Sequence, residues 1–346
     1  MSRSATERAQ YNRGLRLAIA VILGLVLESM RGAALPMLAP VIALQLLAGA
    51  PKPPGKKLVV VLLGVIVMSS LVAYAVATMT LAIPGAYTLG IAVLYLWGFS
   101  LCFVPRLAMI GAMSVTMTVV VTAMAAASTG VALGIVGELT FSVIIGLLIV
   151  AAAHAWFPHP DEVTFPKSTA AADSTVPLSP VARAMLATLV MLPLHLYLTS
   201  DGVAAMVILL TTATMLRQPG IAQSRRYAIA YAMGNGLGGI LAAFSAIIYA
   251  LHSELLVLIS LVAATSFFMA SRIVAAQRWA PVLLPGFVAY VVLFGLTLSS
   301  LPLGSDVAVL TRVLQIAGAA VYALAAVSLF VPLVNRYQRA GAHAAA

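Results

Sequence analysis

The sequence predicts an all-α polytopic membrane protein with about twelve transmembrane helices, arranged as two parallel six-helix repeats, and no sizeable soluble domain. Three observations carry this expectation. Residues are 63% hydrophobic and only 8% charged, with a mean hydropathy of +1.10, whereas a soluble domain carries roughly 25% charged residues. Apolar runs recur along the whole chain, and about 20 such residues cross a hydrocarbon core of roughly 30 Å. The basic residues fall in alternate loops.

Breaks at Pro, Gly and charge mark the segments in order: 15–31, 35–50, 58–82, 85–104, 106–128, 131–157, 181–199, 202–217, 226–249, 254–271, 280–300 and 306–334. The segments 35–50 and 202–217 are short, as expected of tilted or discontinuous helices. The basic N-terminus lacks a small-residue cleavage site and leads straight into further spans, so it reads as a retained first helix rather than a signal peptide.

Counting loops along these spans puts seventeen of the 19 basic residues on one side, including Lys52, Lys56 and Lys57 of APKPPGKK; only Arg31 and Arg312 fall on the other. Basic loops stay cytoplasmic. Both termini are therefore expected in the cytoplasm. The formal net charge of +10 is an orientation signal, which argues against a nucleic-acid partner. The single Cys102 excludes an intramolecular disulfide and a cysteine-cluster metal site.

The order "short apolar span, basic Pro turn, long apolar helix" occurs twice, at QLLAGAPKPPGKKLVVVLLG (45–64) and LTTATMLRQPGIAQSRRYAIAYAMGNGLGG (210–239). Six spans per half give both halves the same orientation. The organisation is then a cytoplasmic N-terminal segment 1–14, a first repeat 15–157, a polar cytoplasmic linker 158–180, a second repeat 181–335 and a tail 336–346.

An ionisable side chain at the centre of a span costs roughly 2.5–3.5 kcal/mol. Glu28 lies twelve residues past Arg16, and His195 twelve past Arg183, each about 18 Å along its helix. They are candidates for proton coupling, with Arg31 beside Glu28; the structural alternatives are an i, i+3 Glu28–Arg31 pair and a hydrogen-bonded His195. Aligning Pro158 with Pro332 shifts the halves by 174 residues and sets Glu138 on Arg312, candidates for an inter-repeat salt bridge or gate. Met109, Met113 and Met117, at every fourth position, and Asn235 are candidates to line a substrate path, although pliable packing is the commoner use of methionine. The GxGxxG match at Gly234, Gly236 and Gly239 lies inside an apolar span, where close helix packing explains it better than a dinucleotide site. No metal-ligand spacing, nucleotide loop or catalytic cluster occurs, so neither a cofactor nor an enzymatic activity is expected.

The opening RLAIAVILGLVLE, the segment LPMLAPVIALQLLAGAPKPPGKK and the six-plus-six pattern resemble the fusaric-acid-resistance and aromatic-acid exporter (FUSC-like) superfamily, nearest its short bacterial membrane branch. The resemblance implies an inner-membrane efflux pump for aromatic acids or similar small molecules, working with a periplasmic adaptor of the membrane-fusion type. Full-length exporters of that kind carry a cytoplasmic domain after each membrane half; here only the linker and the tail stand in those places. Without a nucleotide site, the energy source would be the proton gradient or a partner ATPase. A non-transporting accessory subunit and a divergent major-facilitator transporter are the competing readings, and the sequence leaves self-association open.

Overall fold

The computed structural model describes residues 5–49, 53–158, 179–199, 203–217, 225–275 and 279–299, with Gly318, Tyr322 and Ala325. Among these residues the chain is all helical, without strands: α1 (Ala5–Met30), α2 (Leu38–Gly49), α3 (Lys56–Thr80), α4 (Pro84–Cys102), α5 (Ala108–Ala127), α6 (Thr129–Trp156), α7 (Pro180–Tyr197), α8 (Val203–Arg217), α9 (Arg225–Leu251), α10 (Leu255–Ala275) and α11 (Ala280–Thr297). Each of the first eleven expected segments coincides with one helix. The twelfth, 306–334, lies almost wholly outside the described residues. Among the described residues, seven helices contain a stretch long and apolar enough to cross a membrane: α3, α4, α5, α6, α7, α9 and α10. Their outward faces carry large apolar side chains such as Met79, Leu89, Leu148 and Leu256, which water would disfavour and lipid accepts.

Local chemistry sets the helix ends. Proline opens α4 at Pro84 and α7 at Pro180, where its missing N–H would be unpaired anyway. Ser179 caps α7 by accepting from the Ala182 N–H at 3.2 Å. Within the helices, Thr88, Thr116 and Thr214 donate to carbonyls one turn back, at 2.8–2.9 Å, so these hydroxyls need no water.

The chain divides into two compact units. Unit 1 comprises Met1–Leu63, Glu138–Ser168 and Ile229–Leu314, and so holds α1, α2, α10, α11 and most of α6 and α9. Unit 2 comprises Gly64–Gly137, Thr169–Ala228 and Gln315–Ala346, with α4, α5, α7, α8 and most of α3. Each unit thus draws helices from both halves of the sequence.

In unit 1, α1 packs on α2 and α10, and α11 on α10 and α2. The twelve-residue α2 is about 18 Å long, too short to cross a bilayer. It is sheathed in protein, with Ala39, Ala43 and Leu44 fully buried. Close approach here depends on glycine: a Cβ on Gly24 would sit 2.6 Å from Pro40, and one on Gly295 would sit 2.6 Å from Met37. In unit 2, α7 packs on α8 and α4, and α5 on α4 and α8.

Candidate functional site

The connection from α1 to α2 carries the charged centre of unit 1. Glu28, in the last turn of α1, is completely buried, and one of its carboxylate oxygens accepts from Arg31 Nη2. The same guanidinium forks onto Glu138 of α6, donating from Nη1 to Oε2 and from Nη2 to Oε1, both at 2.9 Å. This bidentate geometry suits a planar guanidinium on a carboxylate. Glu138 Oε1 also accepts the backbone N–H of Ala34 at 2.9 Å, which fixes the turn leading to α2, and Ser299 donates to the Ala34 carbonyl. The Phe141 ring lies 6.0 Å from the guanidinium carbon, within cation–π range.

Charge in this cluster does not balance. Two carboxylates share one guanidinium among the described residues, leaving a deficit of one positive charge. Glu28 Oε1 is buried without a hydrogen-bond partner there. Ser142, one turn beyond Glu138 and itself fully buried, is a further polar side chain that bears on Glu28.

Unit 2 holds a different constellation. His195, near the end of α7, is 1% exposed. Its Nδ1 lies 2.7 Å from the Tyr95 hydroxyl and its Nε2 3.1 Å from that of Tyr87, both on α4. The Tyr95 ring meets the imidazole edge-on at 5.6 Å between centroids. A neutral imidazole offers one donor and one acceptor, and two hydroxyls satisfy both. No charge is required.

Residues 13–153 match the family model described as a protein of unknown function (DUF2955). No curated protein matches the chain, and no solved structure does. The DUF2955 match spans Glu28, Arg31 and Glu138, together with both tyrosines, and ends before His195.

The structure therefore brings Glu28, Arg31 and Glu138 together, three residues singled out from sequence for two separate roles. Arg312, the expected partner of Glu138, lies outside the described residues. Met113 and Met117 are buried within unit 2, while Met109 is half-buried. Asn235 is buried on α9 in unit 1, beside Gly234, whose Cβ would sit 2.1 Å from the Val282 carbonyl of α11. That contact is the close backbone packing expected of the glycine run. No group of three or more His, Cys, Asp or Glu could hold a metal among the described residues. Sequence reasoning missed Tyr87 and Tyr95. The available signal was two hydroxyl-bearing aromatics eight residues apart in an apolar span, each needing a polar partner.

Proposed function

We propose that the chain is a proton-driven transporter of the bacterial inner membrane that exports small aromatic or other organic acids and amphipathic toxic compounds. The observation that carries this reading is the charge deficit at Glu28, Arg31 and Glu138. A single proton on Glu28 Oε1 neutralises the cluster, and its loss restores a buried negative charge that costs several kcal/mol unless Arg31 serves it. One guanidinium held between two carboxylates is an element with two arrangements, and a proton gradient biases which one is populated. The substrate class and a periplasmic adaptor of the membrane-fusion type come from the resemblance to FUSC-like exporters.

Twelve helices in two parallel repeats belong to the same proposal. Its support is the packing within the units. Adding six to each helix number turns α1 on α2 into α7 on α8, and α10 on α11 corresponds to α4 on α5. Likewise α1 on α10 corresponds to α7 on α4, and α2 on α11 to α8 on α5. Under this reading each unit combines the first two helices of one half with the fourth and fifth of the other.

Purified protein in sealed vesicles tests the reading. With an imposed pH gradient, labelled benzoate should move against its own gradient, and Glu28→Gln should uncouple that movement while leaving the melting temperature nearly unchanged. Absence of flux for a panel of aromatic acids and lipophilic toxins, together with co-purification of an adaptor, would instead select a non-transporting accessory subunit.

A further inference from the structure

One end of unit 2 gathers arginines. Arg106 lies exposed in the turn from α4 to α5. Arg183, in the first turn of α7, stacks its guanidinium 4.1 Å above the Phe103 ring in that turn. Arg217, the last residue of α8, donates to the Ala112 carbonyl of α5 at 2.8 Å, which brings a third positive charge to the same end. Among its described residues unit 2 holds no carboxylate. Neither the Arg106 nor the Arg183 guanidinium makes a hydrogen bond or ion pair with another described residue, and stacking on Phe103 occupies only the face of the Arg183 guanidinium, leaving its N–H edges for an acceptor.

The neighbourhood of these arginines is apolar and open. Val181 and Met185 on α7 are 60% and 59% exposed, and Val104 and Leu107 in the turn are 38% and 37% exposed. A soluble anion would use the arginines and leave these side chains idle. A phospholipid would use both, its phosphate on the guanidinium edges and its acyl chains along Val181 and Met185. We propose that this end of unit 2 is a binding site for an anionic phospholipid headgroup, with Arg106 and Arg183 as the phosphate donors. The site is independent of the transport reading.

The test uses the full chain, delipidated in detergent and supplied with phosphatidylglycerol or phosphatidylcholine of identical acyl chains, with retained lipid counted by native mass spectrometry. Each arginine near an anionic headgroup contributes about a fivefold preference. R106Q/R183Q should therefore lose phosphatidylglycerol selectivity by more than tenfold. The charge-matched R8Q/K56Q should keep it, and millimolar inorganic phosphate should not displace the lipid. R106Q alone changes only an exposed turn and should lose about fivefold, which keeps the test decisive if the double variant fails to fold. Equal retention of the two lipids by the unaltered protein would overturn the proposal, as would selectivity that survives R106Q/R183Q. Displacement by inorganic phosphate would overturn it too, by making the site one for a soluble anion.

Discussion

Glu28 and His195 follow an arginine by the same twelve residues, on the first helix of each half of the sequence, yet their surroundings solve opposite problems. In unit 1 the buried group is a carboxylate, held by Arg31 and linked through it to Glu138. In unit 2 the buried group is an imidazole closed off by two tyrosine hydroxyls. Among the described residues the first arrangement is short of one positive charge, which is what the proposed proton coupling uses. The second is complete while neutral, and charging it would place an imidazolium among groups that carry no negative charge. Similar placement in the chain thus goes with one site that the proposed function needs to change state and one that ties α4 to α7 while neutral.

The sharpest way to break this contrast is to remove the cation. Arg31→Leu leaves two carboxylates partly or wholly buried without compensation, and breaking a buried pair in this way costs about 3–5 kcal/mol. We expect the largest loss of thermal stability of any single substitution in either cluster, measured by scanning fluorimetry in detergent. Adding Glu28→Gln and Glu138→Gln to Arg31→Leu should recover a large part of the loss, because the uncompensated charges are then gone. No recovery would mean that Arg31 acts through packing on Phe141 rather than through charge.

The counterpart in unit 2 should cost less. His195→Phe keeps the ring volume but leaves the Tyr95 and Tyr87 hydroxyls without their partner, at about 1–3 kcal/mol for a buried group left unpaired. Combining His195→Phe with Tyr95→Phe and Tyr87→Phe should be milder than His195→Phe alone, since matched apolar groups replace the whole network. A loss from His195→Phe as large as that from Arg31→Leu would erase the distinction drawn between the two sites.

How far the sequence anticipates these sites follows from the range of the interactions. Apolar runs and their Pro and Gly breaks are local, so the helices could be placed along the chain to within a few residues, except that α1 begins at Ala5, ten residues before the expected 15, because its polar first turns carry no apolar signal. The cost of charge in lipid is also local, which is why Glu28, Arg31, Glu138 and His195 stood out before any fold was known. Partners are a different matter. Arg31 reaches Glu138 across 107 positions, and His195 reaches Tyr87 across 108. Nothing in periodicity or composition selects those pairs among the alternatives. Aligning the halves of the sequence suggests Arg312 for Glu138; Arg312 lies outside the described residues, and Glu138 is held by Arg31 from the turn after α1. The grouping of helices into units that mix the two halves was equally out of reach, because α1 and α10 are both simply apolar until their packing is seen.

The smallest effects should separate the two tyrosines. A neutral imidazole gives one bond and receives one, so one hydroxyl must donate to His195 and the other must accept from it. Tyr95 is fully buried and lies 2.7 Å from Nδ1; Tyr87 is 4% exposed and lies 3.1 Å from Nε2. The shorter bond in the drier place should contribute more. Tyr95→Phe is expected to cost about 1–1.5 kcal/mol and Tyr87→Phe about 0.5–1 kcal/mol, within the usual range for a single hydrogen bond. Nitrogen chemical shifts of the labelled ring give an independent reading, because only the nitrogen that carries the proton shifts toward the donor range. Removing the tyrosine that donates should leave the protonated nitrogen unchanged, whereas removing the one that accepts should release the ring to the other tautomer. If neither substitution moved the ring signals, the hydroxyls would not be setting the imidazole's state, and the neutrality assigned to unit 2 would need another cause.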